Sequence, residues 1–185
     1  MSKRYSKDQL SNIKGKRIFF DANILIYLFW STGAQYFERE YSSIFSSLLK
    51  MDTALYVDFI IVSEFVNRAI KLEYNNQLWK TNQESKDYSY KRYRDSEDGK
   101  EMLADIYKII EGSILDKFQV TGKEFNKMEI REFLQVDCLD FSDKAIELIC
   151  KENDYVLLTN DNDFRNSDID ILSMNNSLLN SSENI

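Results

Sequence analysis

Residues 17–30 read Arg-Ile-Phe-Phe-Asp-Ala-Asn-Ile-Leu-Ile-Tyr-Leu-Phe-Trp, and the fold class turns on this stretch. Arg17–Phe20 is a short apolar run ended by Asp21, the pattern of a strand buried on both faces. Residues 24–30 continue as a short apolar helix. The alternation then repeats along the chain. Phe37, Tyr41, Ile44, Phe45 and Leu48 stand at helical spacing, and residues 54–57 form a second apolar run. A helix follows with Val62, Phe65, Val66, Ala69 and Ile70 on its buried stripe, and Met102, Leu103, Ile106, Ile109 and Ile110 mark another. Residues 118–120 form a short extended piece, residues 124–133 a helix and residues 134–137 a strand. Phe141, Ala145, Leu148 and Ile149 give a helix, residues 155–159 the clearest strand, and residues 168–172 a last strand at the edge. Apolar strands alternating with amphipathic helices predict an α/β fold, a three-layer α/β/α sandwich around a central, mostly parallel sheet.

Outward from that core, the organisation is simple. Residues 1–16 form a polar N-terminal extension, residues 17–172 a single domain, and the Asn/Ser-rich residues 173–185 a frayed tail. One polar, charged excursion interrupts the domain at about residues 77–100. A length of 185 with 43% apolar residues suits one core. The 24 Lys and Arg against 31 Asp and Glu leave a net charge of −7, which excludes a polybasic coat for nucleic acid or membrane. Contact with phosphate must therefore be local. The apolar run at residues 18–30 is broken by Asp21 and Asn23, so no membrane span is expected. Cys138 and Cys150 lack a CxxC pairing, and a cytoplasmic location follows as the expectation.

The chain contains no histidine. That removes Ser-His-Asp and Cys-His nucleophiles, imidazole base chemistry and His-ligated zinc. Carboxylates remain, and with them hard, oxygen-seeking cations.

In open parallel sheets, function gathers at the carboxyl ends of the strands. Asp21 ends the first strand, and Asp161 and Asp163 follow the strongest one. Asp143 lies in the first turn of a helix after residues 134–137, and Glu64 lies one turn into the helix after residues 54–57, off its apolar stripe. Each acid has a plain alternative: Asp21 and Asp161 suit turns or caps, Asp140 and Asp143 suit an N-cap and third-position pair, and Glu64 suits solvent. Four distant segments reaching one rim is what those separate roles leave unexplained. Clustered carboxylates suit metal-assisted phosphodiester hydrolysis, which needs no histidine.

Four motifs carry a family resemblance: Phe20-Asp21-Ala22-Asn23-Ile24-Leu25, Val62-Ser63-Glu64-Phe65, Asp143-Lys144-Ala145-Ile146 and Leu158-Thr159-Asn160-Asp161-Asn162-Asp163-Phe164. In order and spacing they resemble the acidic motifs of the PIN domain, a family that includes the ribonuclease toxins of toxin–antitoxin pairs. The resemblance implies Asp21, Glu64 and Asp143 as core metal ligands, Asp161 as the fourth acid, and Asp163 as a neighbouring ligand. It implies Asn23 hydrogen-bonding near Asp21, and Thr159 holding a ligand or water. It further implies a Mg²⁺- or Mn²⁺-dependent endoribonuclease leaving 5′-phosphate and 3′-hydroxyl ends, a homodimer, and inhibition by an antitoxin protein. The sixteen residues ahead of the first motif and the long polar stretch between the second and third depart from compact toxin members.

Two further readings stand beside it. Lys86, Lys91, Arg92 and Arg94 interleave with Tyr88, Tyr90 and Tyr93, the make-up of a single-strand RNA contact. The same residues also suit a solvated segment whose tyrosines cover a neighbouring helix. A PIN-fold module that binds RNA or protein without cleaving is the alternative function. A haloacid-dehalogenase-type phosphatase would need a second acid where Asn23 stands.

Overall fold

The structure, a computed structural model, describes residues 2–180. It is an α/β fold with one open sheet of six parallel strands, in the order β1-β6-β5-β2-β3-β4. The strands are β1 (Arg4–Tyr5), β2 (Arg17–Phe20), β3 (Leu55–Val57), β4 (Gln119–Val120), β5 (Tyr155–Leu158) and β6 (Ile171–Leu172). The longer helices are α1 (Ala22–Phe29), α2 (Gln35–Lys50), α3 (Phe59–Thr81), α5 (Glu97–Ile109) and α8 (Phe141–Asn153). Short helices α4 (Tyr90–Arg94), α6 (Leu115–Lys117), α7 (Lys127–Phe133) and α9 (Asn176–Leu179) complete the set. Their packing on the sheet is consistent with three layers. No helix among the described residues is long and apolar enough to cross a membrane.

The two central strands explain themselves. Ile18, Phe19 and Phe20 pair in register with Val156, Leu157 and Leu158, and all six side chains are fully buried. Continuous apolar runs are what a parallel strand covered on both faces requires. From β2 the chain steps outward to β3 and β4, then returns across β2 to β5 and on to β6. Strand order thus reverses between β2 and β5, which leaves a crevice beyond their carboxyl ends.

Several expectations needed correction. Residues 4–5 form an edge strand rather than a free extension, paired with β6 at Arg4–Ile171 and Tyr5–Leu172. The Arg4 guanidinium donates to the Ile169 and Ser167 carbonyls, each at 2.6 Å. A single 3₁₀ turn region, Lys7–Ile13, then delivers Ile13 into the core with no exposure. Consequently β6 lies inside the sheet, not at its edge. Residues 173–180 are packed as well: Ser173 N–H donates to the Tyr5 carbonyl and Leu178 is fully buried. Residues 181–185 of the expected frayed tail lie outside the described residues.

Residues 134–137 form no strand. Leu134 caps α7, and Leu134 and Val136 are exposed, so nothing covers the apolar pattern that suggested a strand. Buried Lys144 instead holds the turn, donating to the Phe133 and Gln135 carbonyls and pairing with Asp137 at 3.0 Å. The other sheet edge is β4, which pairs with β3.

The excursion at residues 77–100 is the end of α3, a turn-rich link at residues 82–89, α4 and the start of α5. Helix α3 runs on to Thr81 and ends at Asn82, whose φ of 52° is left-handed. Ser89 and Ser96 cap α4 and α5. Gly99 allows the two to meet, since a Cβ there would lie 2.1 Å from the Tyr93 carbonyl oxygen.

Candidate functional site

Parallel pairing of β2 with β5 places Asp21 beside Thr159, and their side chains build the floor of the crevice. Asp21 Oδ2 accepts from Asn23 Nδ2 at 2.6 Å and from the Thr159 hydroxyl. Asn23 Nδ2 also reaches Thr159 Oγ1 at 3.3 Å, and Asn23 Oδ1 accepts from Asn160 N–H at 3.2 Å. Thr159 Oγ1 accepts in turn from Asp161 N–H at 2.9 Å. Asp21, Asn23 and Thr159 are buried, so these bonds answer polar groups that would otherwise be costly to desolvate. Asp21 Oδ1 has no hydrogen-bond partner among the described residues and is left for solvent or a ligand.

A second layer fixes the Asn160–Asp161 turn. The Tyr41 hydroxyl lies deep in the core, donates to Asn160 Oδ1 at 2.8 Å and accepts from Met174 N–H at 3.1 Å. Asn175 Nδ2 donates to the Asn160 carbonyl at 3.0 Å, so the C-terminal segment takes part in holding the site. Sequence reading missed both supports. They join residues more than a dozen positions apart through bonds that leave no local pattern.

The acids converge as electrostatics. Burial pushes the Asp21 carboxyl up to about 6, with Glu64 and Asp161 raising it further while the Thr159 hydrogen bond and Arg68 oppose. Asp143 stands third in α8, where Asp140 caps the helix by accepting from its N–H at 2.8 Å. Burial pushes Asp143 up to about 7, and Asp140, Asp21 and Asp161 add repulsion. Asp21, Glu64, Asp143 and Asp161 therefore share one rim. Asp163 is exposed beside them, and its N–H donates to Asp161 Oδ1 at 3.0 Å. Asp58, an acid at the carboxyl end of β3, is consumed by capping α3 through Ile61 N–H.

Arg68 is the functional residue that the sequence reading passed over. It stands four positions after Glu64 on α3 and forms an ion pair with it. That Glu-to-Arg spacing is itself the signal that reveals it. Its positive charge acts on Asp21.

Whether these residues suit a divalent cation has two parts. The donors are all oxygen, as a hard ion prefers. Their arrangement does not fit one: among the described residues no group of three or more Asp, Glu, His or Cys is placed to hold a metal ion, and Arg68 engages Glu64.

The basic segment sits apart. Tyr93 is buried, and it and Tyr90 pack on buried Tyr74 with ring centroids 5.8 and 5.5 Å away. The Tyr74 hydroxyl donates to the Tyr88 carbonyl at 2.7 Å. The tyrosines thus cover α3. Lys86 pairs with Glu84, Arg94 pairs with Asp95, and Arg92 lies over the Tyr88 ring; Lys91 is exposed.

Comparison with protein-family models, with curated proteins and with solved structures gives no match to this chain.

Proposed function

We propose that the chain is a PIN-like endoribonuclease that hydrolyses phosphodiester bonds at the carboxylate rim. One observation carries the reading: Asp21, where the strand order reverses, feels the charges of Glu64 and Asp161, and Asp143 feels those of Asp21 and Asp161, so acids from four separate segments lie within electrostatic reach of Asp21. With Asp21 held near 6 and Asp143 near 7 in the metal-free chain, either carboxylate is basic enough near neutrality to accept a proton. A phosphodiester on the rim would meet one carboxylate able to take a proton from the attacking water. The 3′ oxygen would take a proton from solvent as the P–O bond breaks, leaving 5′-phosphate and 3′-hydroxyl ends. The Asn23–Thr159 pair fixes the Asp21 side chain through Oδ2 and keeps Oδ1 open for this work.

Mg²⁺ or Mn²⁺ is the cofactor proposed with this reading, on the strength of the oxygen donors; bound, it would supply the positive charge that keeps clustered carboxylates ionised. The same resemblance extends the proposal to a homodimer restrained by an antitoxin protein. A second reading, a PIN-fold module that binds without cleaving, is favoured by the Arg68–Glu64 ion pair and by the lack of a three-acid group for an ion.

The two separate in one experiment. The purified chain is incubated with unstructured and structured RNA in Mg²⁺, in Mn²⁺ and in EDTA, and the product ends are mapped. Metal-dependent cleavage leaving 5′-phosphates supports the nuclease. RNA binding with no cleavage in any condition selects the binding module.

A further inference from the structure

Helix α3 carries one polar stripe that begins at the rim and runs away from it: Glu64, then Asn67, Arg68, Lys71 and Asn75. Steps of three and four residues put these on a single helical face. Apart from Glu64, the stripe forms one wall of a groove between α1 and α3, with a cavity volume of about 560 Å³. Ile26, Tyr27 and Leu72 supply its apolar floor. A smaller cavity of about 220 Å³ shares Asn23, Tyr27 and Arg68 with the groove and adds Asp161, so the groove continues toward that carboxylate.

The chemistry of the groove is specific. Arg68 and Lys71 are cations in a molecule of net charge −7. Lys71 has no carboxylate partner among the described residues; its ammonium rests over the Tyr74 and Tyr90 rings at 4.6 and 5.0 Å from their centroids. Amides at positions 67 and 75 both donate and accept, as the edge of a nucleobase requires. Apolar surface, amides and two cations in one groove, Lys71 without a carboxylate partner and Arg68 shared with Glu64, fit a nucleotide better than a plain anion or an apolar ligand.

We propose that this groove binds the single-stranded RNA segment next to the scissile bond, with Arg68 and Lys71 on its phosphates and Asn67 and Asn75 at the edge of a base lying on the floor. The proposal rests on the rim being the place of cleavage. It moves RNA recognition from the basic segment around α4 to α3, because Arg68 and Lys71 line the groove that reaches Asp161, while Lys86, Lys91, Arg92 and Arg94 do not.

The test is binding of a fluorescein-labelled single-stranded RNA octamer, followed by anisotropy in EDTA across a salt series. Lys71→Ala and Asn75→Lys change exposed positions that touch none of the rim acids. Lys71→Ala should weaken binding about tenfold at low salt and reduce the salt slope by about 0.7, the loss of one single-strand phosphate contact. Asn75→Lys should tighten binding and raise the slope by a similar amount. Replacing Lys91, Arg92 and Arg94 together by Ala should leave affinity within about twofold, since none of them lines the groove. Unchanged binding in both α3 variants, with loss in the triple variant, would overturn the groove and assign recognition to the basic segment. RNA held through the groove but never cleaved would support the groove while removing the nuclease reading. Normal cleavage with no effect at Lys71 or Asn75 would do the reverse.

Discussion

Replacing Asp21 by Asn should stabilise the protein near neutral pH. The carboxyl is 4% exposed, and burial together with Glu64 and Asp161 raises its pKa from 3.8 to about 6. A raised folded-state pKa means that the fold favours the protonated form. Stability from this group is full below pH 3.8 and is lost as pH rises through 6. A shift of about two units at 1.36 kcal/mol each amounts to about 3 kcal/mol by pH 7.5. Asn has the same shape and no charge, and its amide oxygen can accept from Asn23 and Thr159 as Oδ2 does. Asp143 gains as well, because Asp21 is one of the charges that raise it. In EDTA, urea denaturation followed by circular dichroism should therefore give nearly equal stabilities at pH 4, an advantage for Asp21→Asn that grows between pH 4 and 6, and a plateau above that. For a chain of this size the melting temperature would differ by about 6–12 °C at pH 7.5. A variant no more stable than the wild type at pH 7.5, with the same pH profile, would refute the picture of a buried, mutually repelling rim.

Further expectations follow from other parts of the molecule. Mn²⁺ at one hundred times Kd should stabilise the wild type at pH 7.5 by about 2.7 kcal/mol, seen as a higher melting temperature, and leave Asp21→Asn unmoved; calorimetry with and without the ion decides it. Tyr41→Phe removes the hydroxyl between Asn160 and Met174 and should cost about 1–3 kcal/mol in urea denaturation, with lower activity because the Asp161 turn loosens. Ile13→Ala, in a segment that reads as a polar extension, should cost about 2–5 kcal/mol because Ile13 has no exposure. A free extension would tolerate it.

The centre of the sheet could be read from residues alone because parallel strands buried on both faces leave continuous apolar runs, and β2 and β5 have them. Asp21 and Asp161 were found by the same route, as acids just past those runs. What escaped was carried by contacts far apart in the chain. Strand β1 is two residues long, has no period, and is held by an arginine bonded to carbonyls more than 160 positions away. Residues 134–137 carried a strand's pattern without a neighbour to cover them. In the basic segment, composition could not tell a tyrosine stacked inside from one offered to a base; Tyr93 is buried against Tyr74, while Tyr88 and Tyr90 are only partly covered. Arg68 is legible only as the fourth residue after Glu64, an ion-pair spacing common on solvated helix faces.

The most direct test of the central claim is the single-turnover cleavage rate of unstructured RNA by the wild type and by Asp21→Asn, with folding of both verified by circular dichroism. Removal of one carboxylate from the rim should slow cleavage by at least about 10²-fold while the fold persists. Cleavage by Asp21→Asn at the wild-type rate would contradict the assignment of hydrolysis to this rim.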